Sequence, residues 1–255
     1  NVDSERKIEA GKVEFKNVSY RYYKNSEEAV LENINLTINA GATVGIIGST
    51  GSGKTSLVSL IPRLYDTDRG DVLVDGVNVK DYDLDVLRKE VSIVLQKNVL
   101  FSGTIEENLR WGNENATDEE MVRVCKLAQA HSFIEQFPDK YDTYIEQGGT
   151  NVSGGQKQRL AIARAIARDP EIYIFDDSFS ALDYKTDALL RKELRKYTKD
   201  ATCMIVAQRI GTIINADKIV VLDEGKCVGI GTHKELLKSC KVYKEIALSQ
   251  LSKEE

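Results

Sequence analysis

Short runs of alternating apolar and polar residues dominate the first third of the chain. Alternation of this kind is typical of strands with one buried face, and it occurs at 12–15, 18–22, 34–38, 72–74 and 77–79. Asp75-Gly76 separates the last two runs, and Asp-Gly between alternating segments is a strong hairpin signal. The pattern therefore predicts an N-terminal region of short, mostly antiparallel strands.

Continuous apolar runs and helical periodicity take over along the rest of the chain. Apolar runs that are typical of buried strands lie at 91–95, 172–175, 204–206 and 219–222. Helical spacing covers 117–137, 155–167, 185–197 and 234–251. The first of these helices begins with a capping box of Thr117 and Glu120, and the second has Ser153 as its N-cap. Alternating strands and helices predict an α/β fold with a mostly parallel sheet and crossover helices.

The overall composition narrows the class of protein. With 42% hydrophobic and 29% charged residues, the 255-residue chain is typical of soluble globular proteins. Its net charge of -5 argues against a nucleic-acid partner. No uninterrupted apolar run approaches the roughly 18–20 residues that a membrane span needs, and the polar residues 1–11 are typical of a linker from an upstream segment. The four cysteines form no C-x-x-C pair, so they predict neither a zinc site nor a disulfide framework. They are Cys125, Cys203, Cys227 and Cys240.

The clearest chemical motif is a glycine-rich stretch between the apolar run 42–47 and the helical pattern 56–64. Residues 48–55 read Gly-Ser-Thr-Gly-Ser-Gly-Lys-Thr and fit the P-loop pattern G-x-x-x-x-G-K-[ST]. The glycines let backbone N–H groups surround a polyphosphate, and the helix N-terminus adds partial positive charge. We expect Lys54 to reach the β- and γ-phosphates and the Thr55 hydroxyl to bind Mg²⁺. A plain glycine-rich turn would need neither the lysine nor the threonine.

Polar residues follow several of the predicted strands. In a parallel sheet, ligands bind beyond the carboxyl ends of the strands, and the residues found at those ends are Gly48, Gln96, Asp176 and Gln208. We expect these four stretches to converge on one phosphate site. An acidic residue after an apolar strand, here Asp176, can hold Mg²⁺ through water as a Walker B aspartate does.

A third motif decides the family that the chain resembles. Val152-Ser153-Gly154-Gly155-Gln156 resembles the LSGGQ signature of ATP-binding cassette (ABC) proteins. The order of the P-loop, the Q-loop glutamine Gln96, the signature and Walker B is similar to the family's order, and the resemblance extends from Tyr22 to Gln208. Stretches 101–105 and 144–149 resemble those that face the transmembrane coupling helices of ABC exporters.

The resemblance implies a fold and a domain layout. The fold is a P-loop NTPase core with a mostly parallel sheet, an N-terminal antiparallel β subdomain and a helical subdomain that carries the signature. The implied layout is a linker at 1–11 from an absent transmembrane domain, a nucleotide-binding domain at 12–251 with its helical subdomain at about 97–168, and a tail at 252–255. The implied location is the cytoplasmic face of the cell membrane, with this fragment itself soluble.

The resemblance also implies cofactors, partners and site residues. ATP and Mg²⁺ are the cofactors, and the partners are a second cassette, packed head to tail, and transmembrane coupling helices. The residues implied to bind ATP are Tyr22, against adenine, and Gly48, Ser49, Thr50, Gly51, Ser52, Gly53, Lys54, Thr55 and Ser56. Those implied to face the ATP that the second cassette's P-loop binds are Val152, Ser153, Gly154, Gly155 and Gln156. The implied D-loop is Ser180, Ala181, Leu182 and Asp183. The metal residues are Thr55, Gln96 and Asp176, and the catalytic residues are Asp177, Gln208 and Gln96.

Two positions depart from the family pattern. Active members usually carry glutamate after the Walker B aspartate, where this chain has Asp177, and a switch histidine where it has Gln208. Aspartate is one methylene shorter, and glutamine cannot carry a proton or a positive charge. We therefore expect ATP binding with slow hydrolysis.

Both departures fall in the chain's own P-loop half-site, whereas its signature differs only by Val152 in place of the usual leucine. This asymmetry resembles the degenerate-site subunit of a heterodimeric bacterial exporter. Two alternatives stay open. One is an active homodimeric exporter that uses Asp177, and the other is an ABC protein of DNA repair or translation without a membrane partner. The exporter-like stretches and the single cassette argue against the second.

Overall fold

The computed structural model describes residues 2, 5–97 and 99–253. The predicted linker and tail extend beyond this part of the chain at residues 1, 3, 4, 254 and 255. Two compact units are present. The first unit comprises the described residues up to Val91, Glu171–Asp176 and those from Ala201 onward, and the second unit comprises Ser92–Pro170 and Asp177–Asp200.

Strands and helices alternate along most of the chain. The strands in the described part are β1 (Val13–Tyr20), β2 (Leu31–Ile38), β3 (Thr43–Gly48), β4 (Arg69–Val74), β5 (Val77–Asn78), β6 (Val91–Val94), β7 (Gly103–Thr104), β8 (Tyr144–Ile145), β9 (Ile172–Asp176), β10 (Thr202–Val206), β11 (Lys218–Asp223) and β12 (Lys226–Gly231). The helices there are α1 (Lys54–Ser59), α2 (Leu84–Glu90), α3 (Ile105–Arg110), α4 (Asp118–Leu127), α5 (His131–Gln136), α6 (Gly154–Arg168), α7 (Tyr184–Tyr197), α8 (Ile210–Ile213), α9 (His233–Ser239) and α10 (Lys241–Leu251). None of these helices is long and apolar enough to cross a membrane.

The antiparallel sheet of the first unit has the strand order β2-β1-β4-β5. The two strands predicted at 12–15 and 18–22 are one strand, β1, whose pairing with β2 shifts register between Phe15 and Val18. Asn17 lies inside this irregularity with φ 52°, so a bulge bends a single strand and interrupts its alternation. The predicted hairpin at Asp75-Gly76 is confirmed, because β4 pairs with β5 and the two turn residues have φ 51° and 77°.

Asp75 also fastens the beginning of the chain to this hairpin. Its carboxylate accepts hydrogen bonds from the backbone N–H groups of residues 9, 10, 11 and 12, at 2.8–3.0 Å. Burial alone would raise the pKa of the Asp75 carboxyl, but the four N–H groups stabilise the charged form and hold the pKa below its ordinary value.

Parallel strands of the first unit lie in the order β11-β3-β10-β9, with β12 antiparallel beside β11. The predicted mostly parallel sheet is therefore confirmed. Val206 of β10 lies opposite Ile46 of β3 and opposite Asp176 of β9. The carboxyl ends of these three strands are thus aligned, which brings the residues that follow them to the same edge.

The predicted closing helix at 234–251 is two helices, α9 and α10. Cys240 between them is extended, with φ -117° and ψ 108°. No proline or glycine marks this break in the sequence, so helical periodicity alone missed it. Tyr243 and Ala247 of α10 are buried in an apolar cluster with Ile47 and Ala207, and this packing fixes α10 against the strand ends.

The helix predicted at 56–64 is also shorter than expected, because α1 ends at Ser59 and turns follow as far as Arg63, which has φ 55°. In the second unit, the helix predicted at 117–137 is divided into α4 and α5, with Gln129 at φ 59° between them. The predicted capping box of Thr117 and Glu120 is confirmed by both of its hydrogen bonds.

Candidate functional site

The P-loop joins β3 to α1 within the first unit, and a side chain at two of its glycines would meet close neighbours. A Cβ atom on Gly48 would lie 2.3 Å from the Leu222 carbonyl oxygen, and one on Gly53 would lie 2.8 Å from Leu31 Cδ2. Gly51 and Gly53 also have φ of 77° and 99°, a region that favours glycine. Side chains at Gly48 and Gly53 would therefore clash with their neighbours in this conformation.

Polar groups line the P-loop as a phosphate site requires. Lys54 Nζ donates to the Gly48 carbonyl at 2.6 Å and approaches the Ser49 carbonyl at 3.4 Å, so the ammonium lies inside its own loop. The side chain of Ser52 is 1% exposed, and its Oγ has no hydrogen-bond partner among the described residues. A buried hydroxyl without a partner is rare in native structures. A phosphate oxygen would supply the partner, so the loop fits a polyphosphate ligand.

Asp176 ends β9 beside the P-loop, as the strand order predicted. Its carboxylate is buried, and burial raises the pKa of this carboxyl, while a hydrogen bond from the Thr55 hydroxyl and the charge of Lys54 act in the opposite direction. A hydroxyl and a carboxylate are oxygen ligands of the kind that Mg²⁺ prefers. No group of three or more metal-binding side chains occurs in the described part of the chain. Mg²⁺ is usually held by one or two protein oxygens together with substrate phosphates and water.

An aromatic surface lies next to the P-loop. The ring of Tyr22 is 57% exposed, and its hydroxyl is 2.8 Å from the Ser56 Oγ atom on α1. Tyr20 and Tyr65 contact this ring edge to face, with centroids 5.5 and 6.2 Å away. Tyr22 and Gly51 line an open cavity of about 1010 Å³. The exposed Tyr22 ring offers a flat face beside the phosphate loop, which suits a planar base.

Gln208 lies two residues beyond the end of β10, at the same edge of the sheet. The Ala207 N–H donates to the Ile46 carbonyl at 3.0 Å, which continues the pairing of β10 with β3 up to the residue before Gln208. The Gln208 side chain is exposed. The first unit thus brings together the P-loop, Tyr22, Asp176 and Gln208.

The signature begins α6 in the second unit. Ser153 Oγ accepts from the Gln156 N–H at 3.1 Å, and Gln156 Oε1 accepts from the Ser153 N–H at 3.0 Å, so both residues form a closed capping box. A Cβ atom on Gly154 would have only Ala181 Cβ, at 3.9 Å, as a close neighbour. The exposed N-terminus of this helix therefore carries the partial positive charge that attracts anions.

Gln158, which the sequence analysis did not identify as a site residue, connects the Q-loop to the D-loop in the second unit. It is buried, and its Oε1 accepts from the Ala181 N–H at 3.2 Å, while its Nε2 reaches the Gln96 carbonyl at 3.5 Å. Its place two residues after the signature gave no sign of these bonds in the sequence. Asp183 caps α7 through the Thr186 N–H at 2.8 Å.

Asp177 also belongs to the second unit. Its backbone is left-handed, with φ 51°, and its carbonyl accepts from the Ser180 hydroxyl at 3.0 Å. Aspartate tolerates this conformation better than most residues. The predicted site residues are therefore divided: Gln96, Asp177, the signature and the D-loop are in the second unit, and the P-loop, Tyr22, Asp176 and Gln208 are in the first.

The two exporter-like stretches pair with each other in the second unit. Strand β7 lies antiparallel to β8, with Thr104 opposite Tyr144. Nearby, the Phe101 ring packs against Trp111 with centroids 4.7 Å apart and the ring planes tilted by 31°, although Trp111 is 62% exposed. The guanidinium of Arg164 lies 5.6 Å from the centre of the Phe101 ring, and one of its nitrogens is buried without a hydrogen-bond partner in the described structure. We call Phe101, Trp111 and Arg164 the aromatic patch; they line a cavity of about 290 Å³.

Known proteins share these features. The sequence model of one family, described as ABC transporter, matches residues 31–180. The chain belongs to the ABC transporter family. A Mycobacterium bovis protein named as an uncharacterized ABC transporter ATP-binding protein is 48% identical over 231 residues, which cover 89% of this chain and 39% of the relative. A Staphylococcus aureus protein, whose name proposes multidrug export by an ATP-binding/permease chain, is 44% identical over 94% of this chain and 41% of its own length.

The fold of the ABC family is also matched by a solved structure. A bacterial Atm1-family ABC exporter with ATP bound aligns with a TM-score of 0.94 and 33% identity, over 98% of this chain and 44% of the exporter chain. The predicted ABC ATPase fold is thereby confirmed. The chain spans about two fifths of the length of the curated relatives that it matches, at 39% and 41%. Membership of this family supports nucleotide binding and ATPase activity.

Proposed function

We propose that this chain is the ATP-binding cassette of an exporter, which binds Mg·ATP and dimerises head to tail with a second cassette to drive transport across a membrane. The P-loop and the capped signature are the two halves that such a dimer needs, and one chain carries both. The names of the Staphylococcus aureus relative and of the Atm1-family structure, both of which refer to export, support the direction of transport.

The residues of the first unit have distinct roles in this proposal. The P-loop amides and Lys54 bind the phosphates, and the Tyr22 ring receives the adenine. Thr55 and Asp176 would hold Mg²⁺, which would neutralise charge on the phosphates. Gln96, in the second unit, is the third metal residue that the resemblance implies. Ser52 is the buried hydroxyl that a bound phosphate would satisfy.

The chain's own site hydrolyses ATP slowly in this proposal. The observation that carries it is the pair of residues at the hydrolytic positions, Asp177 and Gln208. A carboxylate one methylene shorter is displaced from the attacking water, and a displacement of about 1 Å can cost on the order of 100-fold. Glutamine at the switch position can donate a hydrogen bond to the γ-phosphate but cannot take part in proton transfer.

A heterodimer accounts for the placement of these departures. Asp177 and Gln208 both serve the P-loop half-site, whereas the signature retains its serine, its glycines and its closed capping box. The signature would complete an active site on the P-loop of a different, competent cassette. The active homodimer is the alternative, and it requires Asp177 to act as the base.

A membrane-spanning partner would dock on the aromatic patch. Phe101 and Trp111 are exposed large apolar side chains next to the β7–β8 pair, and exposed apolar patches mark interaction sites. The unpartnered nitrogen of Arg164 would donate a hydrogen bond to a carbonyl or carboxylate of that partner. A role in DNA repair or translation would leave this patch without an occupant, which is why we favour the exporter.

The experiment that tests the proposal identifies the nucleotide that the protein retains. The purified chain is incubated with radiolabelled Mg·ATP, freed of unbound nucleotide and denatured, and the bound nucleotide is separated by chromatography. We expect ATP to be retained, and Lys54→Ala to retain none. Retention of ADP alone would contradict the slow site, and wild-type protein that retains no nucleotide would contradict the cassette itself.

A further inference from the structure

We propose that Gln250, in the last turn of α10, is a positioning residue for residues 208–210 of the ATP site, which we call the Gln208 segment. Its Nε2 donates to the Gln208 carbonyl at 2.6 Å, and its Oε1 accepts from the Ile210 N–H at 2.9 Å. One side-chain amide thus pairs with the backbone at 208 and 210 as a neighbouring strand would. The inference rests on the role in hydrolysis that is proposed above for Gln208.

The Gln208 segment leads directly into helix α8. Helix α8 begins at Ile210, and its N-cap residue, Arg209, makes no side-chain capping bond. An arginine has no acceptor to offer, and the first N–H groups of a helix have no partner within the helix. Helix α8 covers only Ile210–Ile213 and is too short to be stable by itself. Gln250 therefore supplies the acceptor that the local sequence does not.

The packing of α10 carries Gln250 to this place. Tyr243 and Ala247 are buried against Ile47 and Ala207, and Gln250 follows three residues after Ala247 on the same face of the helix. Leu251, on another face of the same turn, is 63% exposed. The carboxamide thus projects from a rigid element whose position is fixed by the apolar core, as a precise supporting contact requires.

Two hydrogen bonds restrain the backbone around Gln208. The Ala207 N–H donates to the Ile46 carbonyl of β3, and the Gln208 carbonyl accepts from Gln250. Removing the Gln250 amide releases the second of these restraints. The P-loop and Tyr22 do not depend on it. We therefore expect unchanged ATP affinity and a slower step that uses the Gln208 side chain.

Hydrogen exchange at the Ile210 amide tests the contact in the full chain. In Gln250→Ala the Ile210 N–H loses its acceptor, and its protection should fall on the order of tenfold, the amount expected for one neutral hydrogen bond. In Gln250→Glu an acceptor oxygen stays but the donor is lost, so Ile210 should stay protected. Leu251→Ala changes the exposed face of the same turn and is the matched control, with no change expected.

Single-turnover hydrolysis with protein in excess over radiolabelled Mg·ATP tests the consequence, and the ATP dissociation constant is measured separately. Both Gln250 variants should slow the turnover on the order of tenfold, because both lose the bond to the Gln208 carbonyl. The dissociation constant should stay within about twofold of the wild-type value, since the binding groups are untouched. Leu251→Ala should change neither quantity.

Unchanged Ile210 protection in Gln250→Ala would overturn the contact. Lost protection with an unchanged turnover rate would overturn the positioning role and leave a bond of structural importance only. The slow site of the proposed function is tested by a different quantity, the absolute rate of the wild-type chain. A fast wild-type rate would contradict the slow site, while the ratio between variant and wild type would still decide the role of Gln250.

Discussion

Restoring the two hydrolytic residues should convert a slow ATP site into an active one. The perturbation is the double variant Asp177→Glu/Gln208→His. The first change extends the carboxylate by one carbon–carbon bond, about 1.5 Å, and a misplacement of about 1 Å can cost on the order of 100-fold in rate. The second change introduces a group able to transfer a proton, and such groups contribute typically 10²–10⁴-fold.

These effects give the expected size of the gain. The two residues act on the same water and phosphate, so their contributions are not additive, and we expect the double variant to be at least about 100-fold faster than wild type. That factor corresponds to about 2.7 kcal/mol of barrier. The left-handed backbone of residue 177, with φ 51°, accommodates glutamate less well than aspartate. A small loss of thermal stability should therefore accompany the gain.

The assay is steady-state phosphate release at saturating Mg·ATP, over a range of protein concentrations that covers dimerisation. Lys54→Ala in the same double-variant background is the control, and it should abolish the gain because phosphate binding is lost. A folded double variant that binds ATP with wild-type affinity and yet turns over at the wild-type rate would refute the reasoning. The defect would then lie outside positions 177 and 208.

Three further predictions concern the hairpin, the turn at Gly225 and the aromatic patch. Asp75→Asn should lower the free energy of unfolding at pH values above the ordinary aspartate pKa of about 3.9. The wild-type protein loses this stabilisation as the pH falls through the lowered pKa of Asp75 in the folded state. Urea unfolding at neutral and acid pH measures the difference, and equal pH profiles of variant and wild type would contradict the prediction. Gly225→Ala should be more destabilising than the matched control Gly76→Ala by at least about 1 kcal/mol, because both residues are left-handed but only at 225 would a Cβ meet a carbonyl oxygen, at 2.3 Å. Trp111 is the one tryptophan in the sequence, so its exposed-type emission should shift to the blue when a membrane-spanning partner docks, and an unshifted spectrum in the assembled transporter would place the interface elsewhere.

The sequence analysis succeeded where structure is determined by neighbouring residues. The Asp75-Gly76 turn and the cap at Ser153 each depend on a few adjacent side chains, and both were predicted and are present. The parallel sheet followed from apolar runs alternating with helical patterns. The P-loop context was also readable, because its glycines and Lys54 have fixed offsets.

Other features depend on contacts between distant residues and could not be read from the sequence. The break at Cys240 has no proline or glycine to mark it and follows from how α9 and α10 pack against the core. Helices α2 and α3 are too short to show a clear period. Gln158 and Gln250 bond to residues far away in the chain, and an isolated glutamine on a helix gives no sign of such a role.

The most direct test of the slow-site account is steady-state Mg·ATP hydrolysis by the purified chain alone, at concentrations high enough to drive dimerisation. The account predicts turnover near background while nucleotide stays bound, and a search for a competent partner cassette would follow. Turnover of about 1 s⁻¹ or faster, within the ordinary range of enzymes, would contradict the account. Asp177 and Gln208 would then be sufficient for catalysis, and the active homodimeric exporter would replace the heterodimer.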